Sequence, residues 1–174
     1  MQPLVFILDV DGVMTDGAAY YTAEGKVMKR FGPDDHDALV LLRRFMDIRF
    51  VSGDARGFEI TARRISADMG FPLDLVSTTR RRQWIEERHG LSDVVYMGDG
   101  IFDAVVMQAV GYAVAPANAW TGAKAAADFV TQANGGDRAV AEACIHLMEK
   151  FFDPLDLSAL DDHDSRILAE GVHP

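Results

Sequence analysis

Two aspartates leave an apolar run two residues apart, in Phe6-Ile7-Leu8-Asp9-Val10-Asp11. On an extended backbone Asp9 and Asp11 point to the same side. Carboxylates so close repel each other, and a folded chain tolerates the pair only with a cation or a shared proton. Asp99 from a second strand end would complete an oxygen-ligand site of the kind Mg²⁺ accepts, with positions left for water and a phosphate oxygen. One carboxylate of the pair can then attack phosphorus to form an aspartyl-phosphate. The other can protonate the leaving alkoxide and afterwards activate water.

Other residues of suitable type lie where strands end. Ser52, followed by Gly53, can hydrogen-bond a phosphoryl group, and Asp103 adds a further acid near Asp99. Arg80, Arg81 and Arg82 stand at the expected start of a helix, where the dipole disfavours cations. An anion would account for them, because helix N–H groups and an arginine fork converge on phosphate. Arg80 or Arg81 is the candidate clamp. His36, at another helix start, is a candidate substrate contact, and Asp54 is read as the N-cap of a helix over 54–69.

Positioning these residues requires strands and helices in alternation. Residues 4–8 form a continuous apolar run, the signature of a central buried strand. Segments 18–21 and 26–30 flank Thr22-Ala23-Glu24-Gly25 and predict a projecting β-hairpin, a flap over about residues 17–32. Strands are then expected at 47–51, 73–76, 94–97, 112–115 and 129–131. Helices are expected from Asp35 and over 54–69, 78–89, 101–109, 121–127 and 139–152. Such alternation with short connections implies an α/β fold, a Rossmann-like doubly wound parallel sheet with no large cap domain. In that architecture ligands bind beyond the carboxyl ends of the strands, where Asp9, Asp11, Ser52, Arg80–Arg82, Asp99 and Asp103 all fall.

Composition bounds the answer further. At 174 residues, 49% hydrophobic and 25% charged, the chain is one globular domain over 1–152 with an acidic tail over 153–174. A net charge of −10 opposes nucleic-acid and anionic-membrane partners. The single cysteine, Cys144, excludes an internal disulfide, and no apolar run is long enough to span a membrane, so a cytoplasmic location is expected.

Asp9-Val10-Asp11-Gly12-Val13-Met14-Thr15-Asp16-Gly17 resembles the first motif of the haloacid dehalogenase superfamily, in the form typical of the 3-deoxy-D-manno-octulosonate 8-phosphate phosphatases and their nonulosonate relatives. Phe50-Val51-Ser52-Gly53 is similar to the second motif and Gly98-Asp99-Gly100-Ile101-Phe102-Asp103 to the fourth. Tyr20-Tyr21, Gly25, Lys29-Arg30-Phe31, Ala127-Asp128-Phe129-Val130-Thr131 and Gly135-Gly136 extend the match over most of the chain. The resemblance implies Asp9 as nucleophile and Asp11 as general acid and base. It implies Mg²⁺ bound by Asp9, the Val10 carbonyl and Asp99 with Asp103 in support, a phosphate contact at Ser52, and a homotetramer in which flap and tail help close a neighbour's site.

Departures from the branch are concentrated in charge. The third-motif lysine is replaced by the Arg80–Arg82 cluster. Acids stand at Asp34, Asp54 and Asp137, where the branch shows arginines. The leading expectation is a Mg²⁺-dependent phosphatase for a small phosphorylated sugar or sugar acid. The alternatives are a catalytically impaired relative acting as an oligomeric or regulatory partner, and a phosphatase for another phosphometabolite such as a nucleotide.

Overall fold

The computed structural model describes residues 2–152 and Pro154; the rest of the expected acidic tail lies outside the described residues. A six-stranded sheet forms the centre, built from β1 (Val5–Asp9), β4 (Asp47–Ser52), β5 (Leu73–Leu75), β6 (Val94–Met97), β7 (Tyr112–Ala115) and β8 (Phe129–Val130). Its spatial order is β5-β4-β1-β6-β7-β8, and every neighbouring pair is parallel. The remaining strands, β2 (Thr15–Thr22) and β3 (Gly25–Phe31), pair antiparallel as a separate hairpin, the expected flap.

The inner strands β1, β6 and β7 are almost wholly apolar because both faces of the sheet are covered there. Alternate residues of β1 divide between two cores. Phe6 and Leu8 pack with Phe50, Val95 and Val114 beneath α1 (Asp35–Leu42) and α6 (Ala139–Phe151). Val5 and Ile7 pack with Val51, Tyr96 and Ala113 beneath α3 (Arg81–Glu86), α4 (Asp103–Met107) and α5 (Thr121–Ala126). The remaining helix, α2 (Phe58–Ala62), widens into a π-helical turn at Arg63–Asp68 and sends Ile65 into the first core.

From β1 the chain winds outward to one edge through β4 and β5, and to the other through β6, β7 and β8. Asp9 therefore ends the strand at which the winding reverses, the place where a doubly wound sheet opens a crevice for ligand.

Two boundaries differ from the sequence expectation. Asp54 does not cap a helix over 54–69, because α2 begins at Phe58 after Gly57 and Asp54 lies in the preceding loop. The helix expected over 78–89 opens instead with a 3₁₀ turn at Thr78–Arg80, and Arg81 becomes the first residue of α3.

Candidate active site

The loop after β1 is closed by its own backbone. Val13, Met14 and Thr15 donate their N–H groups to the Val10 carbonyl at 3.2, 2.9 and 3.1 Å. The Val10 carbonyl, expected as a metal ligand, thus already serves as the acceptor of this turn. The Thr15 hydroxyl accepts from Gly12 and Gly17 N–H at 3.2 and 3.3 Å, pinning the loop to the root of the flap. Gly12 sits at φ +88, and a Cβ there would overlap the Asp99 carboxylate; glycine lets Asp99 close against the loop.

Asp9, Asp99 and Asp103 each bring a carboxylate oxygen within 4.8 Å of the other two. Burial pushes Asp9 up to about 6 against the pull of Arg81, with Asp103 adding to the rise. Burial pushes Asp99 up to about 7, reinforced by Asp9 and Asp103. Acids held this close, with their charged forms disfavoured, suit a hard divalent cation. Asp103 is already engaged: its Oδ1 accepts from Arg81 at 2.7 Å and Tyr96 at 2.5 Å, and its Oδ2 from the Gly100 and Asp99 N–H groups at 2.8 and 3.2 Å. Asp9 is engaged as well, by Arg81 and the Val10 N–H, and Asp103 fixes the loop that carries Asp99.

Arg81 lies beneath Asp9 with no exposed surface. Its guanidinium donates to Asp9 Oδ1 at 3.2 Å and to Tyr96 Oη at 2.8 Å, and forms an ion pair with Asp9 Oδ2 at 2.9 Å. Burial works against this charge, but Tyr96, Asp9 and Asp103 outweigh it and hold Arg81 protonated. Arg80 does not join the site; it is exposed and lines a separate groove with Ser77, Gln83 and Trp84. Of the two candidate clamps, the fold brings in Arg81 alone.

Asp11 is anchored on its other side by the flap. Lys29 of β3 has a fully buried side chain; its Nζ donates to Thr61 Oγ1 at 2.8 Å and Asp11 Oδ2 at 3.1 Å and forms ion pairs with Asp11 Oδ1 and Asp54 Oδ2, each at 2.8 Å. Lys26 of the same strand pairs with Asp54. Partial burial of Asp54 opposes ionisation, yet hydrogen bonds from Lys26 and Lys29 bring its carboxyl down to about 2. Ser52 is fully buried, 3.4 Å from Asp11 Oδ2, and accepts the Asp54 N–H at 3.2 Å.

A cleft of about 330 Å³ opens over these groups, lined by Asp9, Asp11, Gly53, Asp54, Arg81 and their neighbours on the flap. The candidates Asp9, Asp11, Ser52, Gly53, Arg81, Asp99 and Asp103 are thus gathered at one rim. His36 is not among the lining residues; its ring packs edge-on against Phe71, itself packed on Phe50 in the core, which corrects its assignment as a substrate contact.

Sequence reasoning missed Lys29 and Tyr96. A tyrosine inside the apolar strand Val94–Met97 was the available signal, since a buried hydroxyl needs a partner. For Lys29 the signal was a lysine on a hairpin whose partner could be any loop acid.

Known proteins share the fold and part of the sequence. The family model described as haloacid dehalogenase-like hydrolase matches residues 86–143. The chain is 32% identical over 141 residues to 3-deoxy-D-manno-octulosonate 8-phosphate phosphatase KdsC of Haemophilus influenzae, covering 78% of this chain and 77% of the relative. The cobalt-bound structure of the Haemophilus influenzae deoxy-D-mannose-octulosonate 8-phosphate phosphatase matches with a TM-score of 0.72 at 27% identity, over 85% of this chain and 88% of that one. The Moraxella catarrhalis enzyme, solved with a magnesium ion, a phosphate ion and KDO, shares the fold with a TM-score of 0.74 at 23% identity, over 84% of this chain and 86% of that one. Taken with the motif loop and the acids around Arg81, this kinship places the chain in the haloacid dehalogenase-like hydrolases, where it is a phosphatase and a divergent member of the 3-deoxy-D-manno-octulosonate 8-phosphate phosphatase-like branch.

Proposed function

We propose that this phosphatase hydrolyses a small phosphorylated sugar or sugar acid through an aspartyl-phosphate, with Mg²⁺ as its cofactor. The observation that carries the reading is the pairing of Asp9, backed by buried Arg81, with Asp11, held by Lys29, on the floor of one cleft. Magnesium held by Asp9 and Asp99 would neutralise charge on the phosphoryl oxygens. Arg81, fixed below Asp9 by Tyr96 and Asp103, orients the nucleophile and supplies positive charge where the phosphoryl group arrives.

An Asp9 oxygen attacks phosphorus, the bond to the leaving oxygen breaks, and Asp11 gives that oxygen its proton. Asp11, now a carboxylate, takes a proton from water as the water attacks phosphorus, releasing inorganic phosphate and regenerating Asp9. Ser52, whose hydroxyl faces Asp11 Oδ2, would turn it to donate to a phosphoryl oxygen. A cytoplasmic location and a homotetramer with shared sites accord with the same reading. Among the described residues no helix is long and apolar enough to cross a membrane.

Phosphate release from a panel of phosphate esters, measured with EDTA and after adding Mg²⁺, tests the proposal. Chelation should abolish release and Mg²⁺ restore it; undiminished release in metal-free buffer would contradict the cofactor assignment.

A further inference from the structure

We infer, resting on the phosphatase reading above, that the cleft selects a phosphosugar whose leaving group is uncharged rather than a phosphorylated sugar acid. Among the described residues of one chain, every cation facing or underlying the cleft is already paired. Arg81 is held by Asp9 and Asp103. Lys29 is held by Asp11, Asp54 and Thr61. Lys26, on the outer wall, is held by Asp54.

The outer wall is a built ion pair, not a passing surface contact. Lys26 and Asp54 side chains are only 11% and 17% exposed. The second oxygen of Asp54 accepts the Gly57 N–H at 3.1 Å, fixing the carboxylate from behind. Gly57 itself is packed so that a Cβ would lie 2.7 Å from Lys26 Cδ and 2.9 Å from Lys29 Cε; the loop and the two lysines fit one another.

A leaving group bearing a carboxylate, as 3-deoxy-D-manno-octulosonate does, would meet the acids Asp11 and Asp54 with their lysines already taken. Binding it requires Lys26 to be stripped from Asp54, exchanging one ion pair for another and leaving an acid beside an acid, an arrangement that discriminates against that ligand. Hydroxyl groups carry no such conflict, since they donate to Asp54 and accept from Lys26 without breaking the pair. The lining residues Gly17, Ala19 and Thr78 add no charge, and among the described residues no aromatic side chain lines the cleft to stack a nucleobase. A neutral polyhydroxyl leaving group fits what remains.

The test compares kcat/KM for neutral hexose and pentose phosphates, sugar-acid phosphates and nucleoside monophosphates in Mg²⁺, with calorimetric binding of the same compounds. The best neutral phosphosugar should exceed the sugar-acid phosphates and the nucleotides by about tenfold or more. Asp54→Asn, whose amide oxygen still accepts the Gly57 N–H, frees Lys26 and should narrow the gap to sugar-acid phosphates about tenfold. Lys26→Met should not narrow it. Sugar-acid phosphates or nucleotides turned over ahead of every neutral phosphosugar, or an unchanged ratio in folded Asp54→Asn, overturns the inference and leaves the phosphatase reading standing. Absence of phosphate release from every ester, with neutral phosphosugars still bound most tightly, overturns the phosphatase reading and leaves the inference standing.

Discussion

Arg81 does two things with one side chain: it balances the buried acids Asp9 and Asp103 and it holds the nucleophile in place. Stability and activity are therefore coupled at this position. The sequence presented three arginines in a row, and a solvated helix start leads one to expect variants that lose activity without losing stability. Burial changes that expectation. Arg81→Met leaves two acids facing each other in the core and should cost about 3 kcal/mol of stability, read as a lowered melting temperature. Arg81→Lys restores one charge but not the fork that reaches Asp9, Asp103 and Tyr96 together; it should fold and lose about tenfold or more in kcat/KM. Arg80→Ala, on an exposed side chain outside the cleft, should leave both measurements at wild-type values. Equal melting temperatures for wild type and Arg81→Met would refute the buried counter-ion.

At the scale of elements, strands and helices were legible because a parallel sheet covered on both faces needs apolar runs, and amphipathic helices announce themselves by spacing. Asp54 was misread for a physical reason. An aspartate after a strand caps helices so often that local sequence favours that role, whereas its partners Lys26 and Lys29 lie on the hairpin, far back in the chain. The junction of α1 and α6 hides a comparable pairing. Asp35, the first residue of α1, is 1% exposed and accepts the Ala141 N–H at 2.9 Å, capping α6 from outside its own chain segment. Burial raises its carboxyl from the ordinary 3.8 to about 6. The native state thus holds the proton more tightly; the stability this contributes is complete below pH 3.8 and is lost as pH rises through 6. Asp35→Asn keeps the acceptor oxygen and removes the titration. Between about pH 4 and pH 7, wild type should lose about 2 kcal/mol relative to Asp35→Asn, measured by denaturant melts at each pH. A difference independent of pH would show that Asp35 does not titrate in this range.

For the whole molecule, the fold explains why residues scattered from Asp9 to Asp103 meet. The winding reverses at β1, so the ends of β4, β1 and β6 deliver Ser52, Asp9 with Asp11, and Asp99 to one crevice, and the start of α3, after β5, delivers Arg81. That convergence was readable from the sequence because it follows from topology. The charge balance of the cleft was not, because it depends on which lysine reaches which acid across the flap. The central claim is chemical, that Asp9 carries the phosphoryl group. Rapid acid quench during turnover of a neutral phosphosugar, followed by peptide mass spectrometry, tests it most directly. The account predicts one phosphoryl group on the peptide containing Asp9, absent from Asp9→Asn protein that retains the wild-type circular dichroism. Continued phosphate release by pure Asp9→Asn, or a phosphoryl group found on another residue, would contradict it.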